Sequence, residues 1–251
     1  MKKKTINFLI YISLPILILA IWESASLSGA LPAYKLPAPH AIVELCIDLL
    51  KSGELWKHIS VSIGRVFSGF AIAAGVAFIF GVFIALSKTF EGFTKMILQV
   101  LQPIPPIAWI PIAIIWLGIG ETSKVFIIFI GAVFPILLNT IAGIRQIDNR
   151  YIEVSKTLEF PYWKLVYKIF LPGAFPQILT GLKVGLGNAW FCVVAAEMIA
   201  ASSGVGYMLM DGRSLSQPAK VILAMIIIGA ISAIMQYILE RIEKRVGYAK
   251  R

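Results

Sequence analysis

With 59% hydrophobic and 14% charged residues in 251, and a mean hydropathy of +0.85, this chain carries too much apolar surface for an ordinary soluble domain and reads as an integral membrane protein. The net charge of +10 does not argue for nucleic-acid binding, because the basic residues sit in the gaps between apolar runs, where membrane orientation accounts for them. Cys46 and Cys192 lie far apart with no Cys-x-x-Cys, and His40 and His58 belong to no metal-type cluster, so neither a disulfide framework nor a metal site is indicated.

Six stretches fit the ~17–25 apolar residues of a spanning helix: 6–22, 62–86, 96–118, 123–144, 174–200 and 219–239. They predict one all-α, polytopic transmembrane domain over 1–251, with a core at 59–240. The first follows Met-Lys-Lys-Lys, as a secretory signal also does, but Glu23 to Gly29 is a mediocre cleavage context, and retention as the first span is expected. Leu31 to Pro39 is too proline-rich for a helix and reads as an extended outer loop; a short amphipathic helix fits 41–51. Glu54-Leu-Trp-Lys-His58 reads as an interfacial segment ahead of the second span.

The third span contains Gln102-Pro-Ile-Pro-Pro-Ile-Ala-Trp-Ile-Pro111, and no regular helix survives four prolines in ten residues. Freed carbonyls at membrane depth are tolerated only inside protein or beside a wet cavity. Pro103, Pro105, Pro106 and Trp109 are thus either pathway-lining residues or a kink packed on its neighbours. Pro135 is expected to kink the fourth span, and Asn139, one turn away, is more readily a helix-to-helix hydrogen bond than a ligand. In the fifth span, Gly181, Gly185 and Ala189 form a flat face for a neighbouring helix, and Asn188 joins the candidate pathway residues. Lys183 is expected to snorkel or pair with protein. Glu197 is expected either to line a gate or to join a polar network with Ser202 and Ser203. Asp211 and Arg213 read as solvated or partner-facing.

Between the fourth and fifth spans lies a charged island, 145–172. Its first part has helix-compatible spacing at Ile152, Ser155 and Leu158. Pro161 then suits a first helical turn, so a second helix is expected from there to about Phe170, with Trp163, Val166, Tyr167 and Phe170 on one side. Placing the N-terminus inside puts fifteen basic residues (Lys2, Lys3, Lys4, Lys88, Lys95, Arg145, Arg150, Lys156, Lys164, Lys168, Arg241, Lys244, Arg245, Lys250, Arg251) on the cytoplasmic side. It leaves seven outside: Lys35, Lys51, Lys57, Arg65, Lys124, Arg213 and Lys220. Both termini and the island are therefore expected in the cytoplasm. On periodicity alone the island is equally an elbow that transmits motion or a plain interfacial connector.

The island resembles the Glu-Ala-Ala loop of the permease subunits of binding-protein-dependent ABC importers. Glu153 holds the Glu position, Val154 and Ser155 the two Ala positions, Glu159 the usual Gly, and Ile169-Phe-Leu-Pro172 the closing motif. Further segments are similar to the nitrate, sulfonate and taurine branch. They include Leu36-Pro-Ala-Pro39, Glu54 to His58, Ser62-x-x-Arg65, Pro103 to Pro111, Leu117-Gly-Ile-Gly-Glu121, Ala195-Ala-Glu-Met198 and Ser203-Gly-x-Gly206. The resemblance implies a type I importer permease fold in a bacterial inner membrane and a homodimer of this subunit. It also implies two cytoplasmic ATPases that bind ATP and magnesium, and a solute-binding protein. It casts Glu153, Val154, Ser155, Thr157, Leu158, Glu159, Phe160 and Pro161 as the ATPase-docking loop, and the absent glycine is expected to move the turn to Phe160-Pro161. The chain has no Gly-x-x-x-x-Gly-Lys-[Ser/Thr] loop of its own. An ion-coupled secondary transporter would show an inverted repeat with paired broken helices, and a membrane enzyme a convergent catalytic constellation; neither pattern is present.

Overall fold

The computed structural model describes residues 2–29 and 32–248, with side chains described outside 2–12, 156 and 245–248. The expectations for Leu31 and the charges of Lys2, Lys3, Lys4, Lys156, Arg245, Lys250 and Arg251 fall outside these. Every element is helical among the described residues. Helix α1 (Lys2–Leu27) runs through the expected first span, and α2 spans Pro39–Lys51. Between them the chain makes a tight turn, Lys35 and Leu36 amides donating to the Pro32 carbonyl, instead of the extended loop expected.

Helix α3 (Glu54–Leu86) is one unbroken helix of 33 residues. Glu54 to His58 are thus the first turn of the span itself and not a separate interfacial segment. Gly53, at φ +77°, makes the sharp entry from α2. Helix α4 (Lys88–Leu101) starts at Ser87, whose hydroxyl accepts from the Phe90 amide. The proline run then breaks the third span: a 3₁₀ turn (Pro106–Trp109) leads into α5 (Ile110–Leu117), and the two arms meet at 91°.

Helix α6 (Glu121–Arg145) passes unbroken through Pro135. After α7 (Asn149–Thr157), a short α8 (Tyr162–Leu165), a π-helical turn (Val166–Phe170) and α9 (Leu171–Ala200) follow without a gap. In the π turn the Leu171 amide reaches back to the Val166 carbonyl. Pro172 follows directly, and its ring would strike the carbonyl four residues before it in a regular α-helix. The resulting 39-residue rod, Tyr162–Ala200, is about 58 Å long, well beyond the ~30 Å hydrocarbon core. The second island helix therefore does not end at Leu171-Pro172 as expected; it becomes the span. Helices α10 (Val205–Ser214) and α11 (Pro218–Tyr248) complete the chain.

The centre is a three-helix pack of α3, α6 and α9. Glycines make the close approach possible where a Cβ would collide. At Gly181 it would stand 2.7 Å from Asn139 Cβ and at Gly185 2.7 Å from Ile136 Cγ1, so the expected flat face is real and its partner is α6. Small residues of α3 do the same on the other side of α6, Gly69 against Ile128 and Gly81 against Thr140. Around them sit Val66, Ala73, Ile127, Ile136, Trp190 and Val193, all buried. Two smaller apolar clusters close the ends of this pack. One joins α2, α10 and α11 through Ile42, Val205, Met208 and Leu223; the other joins α6, the π turn and α9 through Ile144, Phe170, Ala174 and Ile178.

Candidate functional site: an elbow, a broken span and a buried charge clasp

At the end of the rod, α7 turns back on α8. Glu159 adopts φ +51°, and the Phe160 amide donates to the Ser155 carbonyl at 3.0 Å, the six-to-one bond of a Schellman ending with Glu159 in the left-handed position. The turn thus stays at the position of the missing glycine and does not move to Phe160-Pro161. Pro161 is extended (ψ 148°) and caps α8, accepting from the Lys164 amide at 2.9 Å, so the helix begins one residue after the proline.

Ser155 is buried and anchors α7, its hydroxyl donating to the Ile152 carbonyl at 2.7 Å; the Thr157 hydroxyl donates to the Glu153 carbonyl. Glu153 is exposed. Ile152 of α7 packs inward against the Ile144 and Phe170 cluster, whereas Tyr151, Val154 and, just past the helix end, Leu158, at three- and four-residue spacing, face away from the body and are 62, 58 and 60% exposed. The stripe expected on the next helix divides. Phe170 is buried against Ile144 and Ala174, whereas Trp163 and Tyr167 are 66 and 73% exposed. They line an apolar cleft of about 500 Å3 against Val82, Phe83 and Leu86 of α3. A second cleft, of about 640 Å3, lies between the ends of α6 and the rod, lined by Gln146, Asp148, Tyr151, Lys168 and Gln177.

In the broken span, Pro103 and Pro105 are exposed and Pro106 is half-buried. Trp109 is half-buried too, and its indole N–H is buried with no acceptor among the described residues. Asn139 makes the interhelical bond anticipated for it: its Oδ1 accepts from Gln177 of α9 at 2.9 Å, while its Nδ2 donates to the Pro135 carbonyl. Asn188 is half-buried on α9. Lys183 pairs with Glu243 of α11 at 3.1 Å.

About 36 Å from the elbow along α3, at its other end, five of the sequence motifs meet. His58, Ser62 and Arg65 share one face of α3 at four- and three-residue spacing. Arg65, 5% exposed, donates from Nε and Nη2 to both oxygens of Glu121 at 2.6 Å. Its Nη1 reaches the Glu197 Oε1 at 2.8 Å and the Ser203 carbonyl at 2.5 Å. Lys124 donates to Glu121 at 2.9 Å. The fully buried Glu197 accepts in addition from the Ser62 hydroxyl at 2.8 Å and the Gly206 amide at 3.0 Å. Gly204 (φ +119°) and Val205 donate to His58 Nδ1 and Ser62 Oγ, and a side chain at Gly204 would collide with the Glu197 carboxylate. Arg65, Lys124 and Glu197 are thus neutralised out of water, while Glu121, 63% exposed, pairs with both cations from the rim, and every charged group is hydrogen-bonded, as such burial requires. Glu197 turns into this clasp and not toward a cavity; its partners are Ser62, Arg65 and Gly206 instead of Ser202. Ser203 enters through Arg65. Lys220, pairing with Asp211 at 2.7 Å and Glu54 at 3.5 Å, ties α10 and α11 to the same end; Asp211 is therefore not simply solvated.

A family model described as "Binding-protein-dependent transport system inner membrane component" matches residues 77–248. The chain belongs to that family. It is 41% identical to an ABC transporter permease of Methanocaldococcus jannaschii (97% of this chain, 93% of that one). It is 39% identical to an aliphatic sulfonates transport permease of Bacillus subtilis (92% and 84%). Permeases named for taurine transport in Escherichia coli and nitrate import in Synechocystis are 30 and 34% identical, over 93 and 86% of this chain and 86 and 82% of theirs. These relatives match the branch that the motifs indicated. The fold is that of type I importer permeases: a chain of the inward-facing MetNI methionine ABC transporter superposes with a TM-score of 0.63 at 20% identity, covering 81% of this chain and 98% of that one.

Within this family frame, the clasp gathers residues that the sequence presented as separate motifs or as unpaired outer cations. Arg65 and Lys124 were expected as outward-facing charges, and both are consumed in ion pairs. The four- and three-residue spacing of His58, Ser62 and Arg65 on an apolar helix was the available signal, because three polar groups on one face of a span need a common polar partner.

Proposed function

We propose that this chain is the membrane-spanning permease subunit of an ATP-driven importer, working as a homodimer with two ATPases that bind ATP and magnesium and a binding protein that delivers the solute. The observation that carries this reading is the elbow. Tyr151, Val154 and Leu158 present an apolar face with no cover inside the chain, on a turn mounted directly on a 39-residue rod. Such a face is the signature of a docking surface, and a helix continuous with a span transmits displacement at that surface into the membrane. ATPase closure would then swing α9 together with α6 and rock the paired cores between outward-open and inward-open states. Pro103, Pro105, Pro106, Trp109, Asn139 and Asn188 are proposed pathway residues; the orphan indole N–H of Trp109 supports that role. For Glu197, the clasp supports a structural role at the gate end. The elbow and both termini are assigned to the cytoplasm of a prokaryotic cell, and the clasp to the opposite side, where the binding protein docks. By analogy with the relatives, the solute is a small molecule of the sulfonate, nitrate or bicarbonate kind.

The test is co-purification of the cognate ATPase with the full chain from membranes. Leu158→Arg is expected to abolish association while membrane insertion is retained. Retained association, or lost insertion, returns the island to a simple connector.

A further inference from the structure

The apolar cleft of about 500 Å3 between the end of α3 and the root of the rod is walled by Val82, Phe83, Leu86 and Val166. Trp163 and Tyr167, both exposed, complete it on the rod side. Its depth in the membrane follows from α3. From Arg65 of the clasp to Phe83 that helix rises about 27 Å, close to the thickness of a ~30 Å hydrocarbon core. With the clasp at one membrane face, the cleft lies at the other, the face assigned above to the cytoplasm. Trp and Tyr gather at that level because each has an apolar body for the lipid and a polar edge for water.

The cleft also has a positive edge. Lys164, half-buried, holds its Nζ 5.7 Å from the centre of the Trp163 ring, and no carboxylate lies within ion-pair distance of it among the described residues. Ser87, a lining residue, is the N-cap of α4, so the positive end of that helix opens on the same cleft, followed by the exposed Lys88. The acid of that first turn, Glu91, is occupied by Arg145 at 2.8 Å. Tyr151, Val154 and Leu158, the face assigned to the ATPase, contribute nothing to this wall, so the cleft is separate from the docking surface.

We propose that the cleft between α3 and the rod binds one acidic phospholipid of the inner leaflet. Its acyl chain lies against Phe83, Leu86 and Val166 beside the Trp163 ring, and its head-group phosphate meets Lys164 and Lys88. An apolar slot with unpaired cations at its watery edge complements a molecule that is apolar along its length and anionic at its head. The site goes beyond the importer reading, from which it takes only the side of the membrane. A lipid seated there joins α3 to the rod directly behind the elbow.

The experiment titrates the full chain, purified in detergent, with dioleoyl phosphatidylglycerol or dioleoyl phosphatidylcholine and counts bound lipids by native mass spectrometry. The first phosphatidylglycerol is expected to bind about tenfold more tightly than phosphatidylcholine. Lys88→Gln with Lys164→Gln should bring the two lipids within about twofold of each other, and Trp163→Ala should weaken both. Lys95→Gln, on the same side of the membrane but outside the cleft, should leave the preference intact. Equal affinities in the unmodified chain, a preference that survives the double substitution, or an equal loss from Lys95→Gln would overturn the site. So would loss of ATPase co-purification in Trp163→Ala with lipid binding unchanged, which would give the cleft to the ATPase. Lipid binding is scored on the chain whether or not an ATPase co-purifies, so failure of the site and failure of the importer reading give different results.

Discussion

Glu159 holds a backbone conformation that costs a non-glycine residue about 1–2 kcal/mol, because its Cβ crowds the adjacent carbonyl. The Schellman bond from Phe160 to Ser155 outweighs that cost and keeps the turn where a glycine would put it. Glu159→Gly is therefore expected to raise the thermal midpoint of the purified protein by about 2–4 °C; Glu159→Val should lower it. The opposite case is Arg65. Arg65→Met leaves Glu197 buried with no cation and should destabilise by about 3 kcal/mol or more, measured by thermal unfolding in detergent. Adding Glu197→Gln to Arg65→Met should recover part of the loss, since the stranded charge is gone. Additive losses would show that the pair is not coupled.

At the scale of elements, the contact of α6 with α9 depends on backbone proximity and not on large side chains. Gly185→Ala puts a methyl 2.7 Å from Ile136 Cγ1 and 3.1 Å from the Ala132 carbonyl, and should cost about 1–3 kcal/mol. Gly187→Ala, two residues on and facing open space, should be neutral within about 0.5 kcal/mol by the same thermal assay. Equal effects would remove the packing explanation. The broken third span was legible because proline chemistry is local: four prolines in ten residues forbid a helix wherever they stand. Its 91° bend was not, since the angle depends on how α4 packs on α3 and α5 on α6.

At the scale of the whole molecule, the elbow and the clasp occupy opposite ends of α3, one loosely covered and one locked. Motion imposed at the elbow is thus expected to pivot the α6–α9 pair about a clasp end that stays fixed. Uptake into proteoliposomes should require the ATPase, the binding protein and ATP hydrolysis, with no dependence on an ion gradient; uptake by this chain alone would overturn the importer reading. Arg65→Met should weaken coupling, raising ATP hydrolysis without solute relative to uptake.

The sequence by itself determined the membrane class, the break in the third span and the branch of the family, because hydropathy, proline content and motif spacing are local properties of the chain; of the six spans expected, four helices, or five with the bent pair, are long and apolar enough among the described residues. It also identified Gly181 and Gly185 as a packing face, because bare backbone every fourth residue has few other uses in a span. Only the tertiary structure decided where the charges go. Arg65, Glu121, Lys124 and Glu197 are spread over more than 130 residues, and which carboxylate meets which cation depends on helices folding side by side. The same holds for Trp163, Tyr167 and Phe170: one period predicted one face, but the π turn and the packing of α6 bury one and leave two in the open.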